Sequence, residues 1–469
     1  MSVSAPALGR GTGKKKNLTF IISASSVGTL IEWYDFYLYG VLAIFFSKHF
    51  FSPELNPSVA FIASLFVFWT GFLVRPFGAV VFGHLGDLIG RKFTFMLTLV
   101  LMGTATFLVG CLPVYDTIGA LAPVLLVACR VVQGLALGGE YGGAATYIAE
   151  HAPDGKRGLY TSWIQTTATM GIVISLLVIM AFRLGMGDAA FSAYGWRYPF
   201  LLSAVLVILS GYLRLRLEES PLYAELKSQG KSSHNPVKET YSNAKNIGYM
   251  VIALFGATAP EGVVWYTGQF YALFYLIAVL KIPYITAYWM LIVALLIGAT
   301  GFIFFGWLSD KIGRKWIMVS GFFLAVVTYI PVYQTMLANK DNLPLLTILV
   351  IYMVILVTMV YGPIAAFLVE FFPARIRYSS MSLPYHIGNG VFGGLVPAAG
   401  ASLAAAYPAA TLPIFGSVGP LVGLLYPMGI AAIGVVVGVF FIPNTTSQTR
   451  IWDEVSGHRR RPPLVPDQP

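Results

Sequence analysis

The chain has 469 residues, 57% of them hydrophobic and 11% charged, with a mean hydropathy of +0.75. A soluble domain carries about 25% charged residues, so this composition excludes an ordinary water-soluble globule and fits a polytopic helical membrane protein. The net charge of +10 invites a nucleic-acid reading, which the placement of that charge along the chain removes.

Residues 1–18 read as a short cytoplasmic polar tail with Arg10, Lys14, Lys15 and Lys16. A basic cluster before an apolar run mimics a secretory leader. This run is too long and carries Glu32 and Asp35, so an uncleaved first helix is expected. About a dozen apolar spans follow, near 19–47, 58–84, 93–112, 121–149, 158–182, 196–214, 247–280, 284–308, 316–337, 342–369, 378–406 and 417–442. Segment 216–246, with Lys227, Lys231, Lys238 and Lys245, is the longest polar interruption. It divides a half at 19–215 from a half at 247–442, and a polar tail at 443–469 closes the chain.

With the N-terminus inside, Arg91, Lys92, Lys156, Arg157, Lys227, Lys231, Lys311, Arg314, Lys315, Arg375, Arg377 and Arg459–Arg461 all fall on the inner side. The opposite loops hold Lys48, Arg183, Arg197, Lys281 and Lys340. This positive-inside bias puts both termini in the cytoplasm, and anionic phospholipid explains the charge better than DNA. The two cysteines, Cys111 and Cys129, show neither a disulfide framework nor a metal spacing.

The halves look duplicated. Gly83, Asp87, Gly90, Arg91 and Lys92 recur 223 residues later as Gly306, Asp310, Gly313, Arg314 and Lys315. Glu150, Pro153 and Arg157 recur 220 residues later as Glu370, Pro373 and Arg377. A six-span unit duplicated with both termini inside gives halves related by an axis along the membrane normal, with substrate bound between them.

The paired loop motif resembles that of the major facilitator superfamily. Three further stretches resemble its metabolite:H+ symporter family, alongside permeases for α-ketoglutarate, shikimate, citrate and proline/betaine. They are Ile31–Phe36 (I-E-W-Y-D-F), Arg130–Tyr141 (with Gln133, Gly134, Gly138 and Glu140) and Glu219-Ser220-Pro221. The last is shared with sugar porters. A sugar porter would also show P-E-T-K-G after span twelve, where this chain has P-N-T-T-S at Pro443–Ser447. The resemblance implies an all-α fold of twelve transmembrane helices in two six-helix halves. It implies secondary active transport across the inner membrane, most plainly proton-coupled uptake of a small mono- or dicarboxylate. A zwitterion or osmolyte symporter and a proton-driven exporter stand as alternatives. The partners expected are the substrate, a proton and the bilayer, with no nucleic acid, no cofactor and a monomeric state.

Ionisable groups inside spans are costly, so each invites a functional reading. Arg75 lies twelve residues before Asp87, about 18 Å along the helix and near the midplane. It suits a substrate-anion anchor or a structural pair with Asp35 or Glu32. Glu32 and Asp35 share roughly one helix face and suit loading and release of a proton, or a fixed bridge to Arg75 or Arg130. In the expected cycle, protonating one of them frees Arg75 for the substrate. Arg130 and Gln133 read as coupling or packing, Gly134 and Gly138 as helix contacts, and Glu140 as a second proton candidate. Pro260 should kink span seven, where Glu261, Trp265, Tyr266 and Gln269 can meet substrate; Glu261 can also carry a proton or pair with His386. Tyr385, His386 and Asn389 in span eleven and Gln165 in span five complete the set. A cytoplasmic gate is expected from Asp87, Arg91, Glu150, Arg157, Asp310, Arg314, Glu370 and Arg377. In it Asp87 faces the start of span eleven and Asp310 that of span five. The run Gly138–Gly143 lies within a span and is no phosphate cradle; no catalytic triad is found, so an enzyme and an ATP-driven pump are both unsupported.

Overall fold

The structure is a computed structural model that describes residues 18–372 and 377–444, leaving aside 90, 140, 141, 143, 144, 147, 150, 151, 154, 216–241 and 243. In chain order, α1 is Leu18–Val41 bent into Ala43–His49, α2 Pro57–Phe82, α3 Arg91–Cys111, α4 Leu121–Gly138 and α5 Arg157–Met186. Then come α6, Asp188–Gly195 bent into Arg197–Tyr212, and α7, Ala244–Val279. The remainder are α8 Tyr284–Ile312, α9 Arg314–Ala338, α10 Leu343–Phe371, α11 Ser380–Ala406 and α12 Gly419–Phe441. Among the described residues, nine of these are long and apolar enough to cross a membrane, and eleven if the bent pairs count. The apolar stretch of α3, Met96–Cys111, is shorter. Within this all-helical membrane fold, α1 and α6 are broken by bends of 54° and 50°.

Helices are the only open-chain solution in lipid, because each backbone polar group must be satisfied within its own segment. Three of them are locally underwound, α6 through a π-helical turn at Phe191–Gly195. α7 carries five-residue π-helical turns at Leu254–Thr258, Thr267–Tyr271 and Tyr275–Val279, and α11 an eight-residue π-helical stretch at His386–Gly393. Pro260 follows the first and Pro384 precedes the last. Proline withholds an N–H from the ladder, and a widened turn absorbs the defect.

α5 lies along α8, and α2 against α11. These two contacts join α1–α6 to α7–α12, and they exchange under the same six-span shift that relates the loop motifs. The buried apolar cluster runs continuously through both halves, while Phe77, Ile208 and Phe440 face outward, as a lipid-facing surface requires. A small β-hairpin, Thr411–Leu412 with Gly416–Ser417, connects α11 to α12.

Candidate functional site

The cleft between the halves is closed at one end by charge. Asp310, near the end of α8, accepts hydrogen bonds from the backbone N–H of Gly158 and Leu159 at 2.8 Å each. The α5 N-terminus presents those orphan donors and the positive end of its dipole, so a carboxylate fits there. Arg314 Nη1 reaches Asp310 at 2.7 Å, and its Nε and Nη2 fork onto Glu370 at 3.3 and 3.0 Å. Arg157 approaches Glu370 at 3.9 Å. Two arginines and two carboxylates, all buried, thus neutralise one another across four helices and both halves. The backbones come close enough for this because Gly158 and Gly306 face each other: a Cβ on Gly158 would lie 2.3 Å from the Gly306 carbonyl oxygen. Arg377 is buried nearby, with Nε donating to the Phe372 carbonyl at 3.3 Å. The side chains of Asp87 and Arg91, and all of Glu140 and Glu150, lie outside the described residues.

Deeper in the cleft, Arg75 is completely buried with its guanidinium over three rings: Phe72 at 4.6 Å, Phe36 at 4.8 Å and Trp33 at 5.0 Å. None of its nitrogens has a hydrogen-bond partner among the described residues. This corrects the expectation of an internal ion pair with Glu32 or Asp35, and with it the step in which protonation frees Arg75. Asp35 turns elsewhere. Its Oδ1 accepts from Ser203 Oγ at 2.6 Å, and its Oδ2 has no partner among the described residues. Glu32 is buried one turn away.

Arg130 is held by structure. Nη1 donates to the Phe36 carbonyl at 3.2 Å and to Gln133 Oε1 at 2.7 Å, and Nη2 to the Phe68 carbonyl at 3.3 Å. Gln133 donates onward to Thr106 at 2.8 Å. Gly134 and Gly138 meet α2 closely, each within 2.2 Å of a carbonyl oxygen (Gly71 and Arg75) had it a Cβ. Arg130 therefore ties α4 to α1 and α2.

The second half supplies the facing groups. Asn389 Nδ2 donates to both carboxylate oxygens of Glu261, at 3.0 and 3.1 Å, so the pairing of Glu261 with His386 is corrected to Asn389. The α7–α11 approach permits it: a Cβ on Gly262 would lie 2.6 Å from the Asn389 Cα. Tyr266 lies within electrostatic reach of both Arg75 and Glu261, and His386 within reach of Arg75. Tyr385 and Tyr361 share a hydroxyl–hydroxyl hydrogen bond at 3.0 Å. Trp265 stacks on Tyr37 at 5.5 Å, and Tyr37 on Trp33 at 5.0 Å. Gln165 and Gln269 are fully buried, and the Gln269 amide has no partner among the described residues. Ser203, Tyr361, Tyr37 and Thr106 did not stand out in the sequence. A hydroxyl inside an apolar run carries no spacing signal, although Tyr361 beside Gly362-Pro363 marks a helix break.

A chain of rings links Arg75 to the opposite end of the cleft. Phe72 meets Tyr266 at 5.1 Å, Tyr266 meets Phe270 at 6.0 Å, Phe270 meets Phe274 at 6.1 Å, and Phe274 meets Phe61 at 5.8 Å. Two of these contacts cross between halves. Beyond Phe61 lies a vestibule of about 530 Å³. Arg75 is therefore sealed by ion pairs on one side and by aromatic packing on the other.

Residues 26–397 match the family model described as Major Facilitator Superfamily. The chain belongs to that superfamily. This facilitator is a membrane transporter and not an enzyme. It is 34% identical over 382 residues to the inner membrane metabolite transport protein YhjE of Escherichia coli K12, covering 79% of this chain and 84% of that protein. It is 33% identical over 394 residues to the alpha-ketoglutarate permease of the same strain (84% and 89%). It is 32% identical over 433 residues to its proline/betaine transporter (89% and 82%). The fold matches the proton:xylose symporter XylE bound to 6-bromo-6-deoxy-D-glucose, with TM-score 0.75 at 19% identity over 94% of this chain and 99% of that one. These similarities agree with the resemblance to metabolite:H+ symporters read from the motifs.

Proposed function

We propose that this facilitator is a proton-coupled symporter that brings a small organic anion, a mono- or dicarboxylate, into the cytoplasm. It works as a monomer in the inner membrane with both termini inside. The observation that carries this reading is Arg75, a buried guanidinium between the halves with no hydrogen-bond partner among the described residues. An unpaired buried charge costs several kcal/mol. The aromatic faces offset part of that, and a bound carboxylate would offset the rest by taking the bidentate fork that guanidinium offers. Asp35, with one free carboxylate oxygen, is the proposed proton carrier. The halves then rock about the site, opening the ion-paired end as the aromatic end closes.

One observation favours a second substrate class. Arg75 lies over the ring of Trp33 at 5.0 Å, Glu261 lies one turn before Trp265 on α7, and Tyr37 stacks on both tryptophans, so a cation and a carboxylate stand beside one set of aromatic rings. A zwitterion would place its carboxylate on Arg75 and its onium toward Glu261 and the rings. Arg75 serves the same role in both readings. The test is ligand-dependent thermal stabilisation of purified protein by α-ketoglutarate and by glycine betaine, with and without Arg75→Lys. Losing the fork should weaken the stabilising ligand about tenfold or more, some 1.4 kcal/mol. Undiminished binding by Arg75→Lys would remove Arg75 from the substrate site. Alkalinisation outside vesicles on adding substrate marks symport, and the opposite sign marks antiport.

A further inference from the structure

The vestibule beyond Phe61 is lined by α1, α2 and the α7–α8 connection. Its only charged lining residues among those described are Lys48 and Lys281, and no acidic residue lines it. Both ammonium groups are exposed, and neither forms an ion pair or hydrogen bond among the described residues. One pair of charges near the wall is compensated: Arg183 is ion-paired with Asp188 while lying over the ring of Tyr284, a lining residue, at 4.8 Å. Glu54 sits in the α1–α2 loop beside the mouth and is not part of the lining.

The backbone adds an independent observation. Lys281 has φ of 59°, and it is the one non-glycine residue with positive φ among those described. It follows the last turn of α7, where the Ile282 N–H returns to the Leu276 carbonyl at 2.9 Å. That is the left-handed position ending a helix, which glycine fills without strain. A lysine there keeps an ammonium at the vestibule wall at the expense of an unfavourable backbone conformation, and such outliers concentrate at functional positions.

We propose that Lys48 and Lys281 form an entry site for organic carboxylates at the mouth of the transport path. The site captures an anion loosely before the ring chain opens toward Arg75. It rests on the anion-transport reading for its substrate. The positive potential of the vestibule is testable without any substrate. A cavity with walls of low dielectric and one sign of charge focuses the field and raises the local concentration of the opposite ion. The capture is weak by design, because the ammonium groups stay hydrated and screened; its effect is on encounter rather than on final affinity.

The experiment has two arms. In a Cys111→Ala, Cys129→Ala background, Ser58→Cys places a thiol on the vestibule wall. Its rates of reaction with an anionic and with a cationic methanethiosulfonate are compared before and after Lys48→Gln with Lys281→Gly. Glycine keeps the turn while removing the charge. The anionic-to-cationic rate ratio should fall about fivefold in the double variant, and raising salt to 0.5 M should produce the same fall in the parent. A ratio unaffected by the substitutions overturns the entry site. In the second arm, proteoliposome uptake of radiolabelled α-ketoglutarate at low ionic strength should show KM raised about threefold to tenfold in the double variant with kcat unchanged. A changed reagent ratio with no carboxylate uptake by the parent rejects the anion-transport reading and leaves the vestibule potential established.

Discussion

At the scale of single residues, the first half holds an arginine without an acid and an acid without an arginine. Asp35 keeps one oxygen on Ser203 and leaves the other without a partner among the described residues. A salt bridge to Arg75 or Arg130 would have fixed its charge, and no such bridge forms; the proposed role as proton carrier is open to a direct test. Asp35→Asn preserves shape and the Ser203 contact while holding the group neutral. It should retain substrate exchange near the parent rate and lose accumulation against a gradient, as counterflow and proton-driven uptake in proteoliposomes will show. Accumulation at the parent level by Asp35→Asn would exclude Asp35 as the carrier. Arg130 differs in kind. Its donors close on the carbonyls of Phe36 and Phe68, and stripping a partner from buried carbonyls costs about 1–3 kcal/mol each.

At the scale of elements, glycines decide where helices meet. A Cβ on Gly306 would lie 2.5 Å from Ser162 Cβ and 2.6 Å from the Gly158 carbonyl oxygen, distances that force α8 away from α5. Gly306→Ala should lower stability by about 1–3 kcal/mol through overpacking, seen as a lower Tm in detergent together with slower transport. Gly248→Ala, whose added methyl meets nothing within 4 Å, is the control and should be neutral or slightly stabilising, by about 0.5–1 kcal/mol. A Tm for Gly306→Ala that matches this control would show the α5–α8 approach to be loose. Much at this scale was legible in sequence. Long apolar runs with few charges announced an all-helical membrane fold, and the paired loop motif announced the superfamily to which the chain belongs. The partners were not legible. Glu261 and Asn389 stand 128 residues apart, and helical periodicity gives the face a residue occupies without saying which helix is turned toward it. Thus Arg75, Glu32 and Asp35 read as natural neighbours in an ion pair, while the structure gives Arg75 three aromatic rings and Asp35 a serine. The π-helical turns of α7 and α11 were equally hidden, beyond the kink that Pro260 announces.

For the whole molecule, transport requires that the two seals on Arg75 never open together. The ion-paired seal is balanced: Arg157 and Arg314 against Asp310 and Glu370. Because Asp310 also caps α5, it ties the two halves together through a helix dipole while pairing with Arg314 within its own half. Asp310→Asn keeps the shape, weakens the cap and leaves a net positive charge buried among four helices. The closed end should lose about 1–3 kcal/mol relative to its open form, a shift of roughly 5–150-fold in the equilibrium between the two. Rigid halves make the consequence reciprocal. In the Asp310→Asn protein with Cys111 and Cys129 replaced by alanine, a cysteine at Thr161, buried near the start of α5, should become reactive toward maleimide. A cysteine at Ser58 in the vestibule should become less reactive over the same range. Substrate affinity measured by thermal shift should change little, since Asp310 does not touch the Arg75 cleft, while turnover slows because the return to the vestibule-open form is now uphill. Gain of reactivity at position 161 without loss at 58 would mean local fraying of the α5 start. Change at neither would mean that the four charges stabilise the fold without gating it.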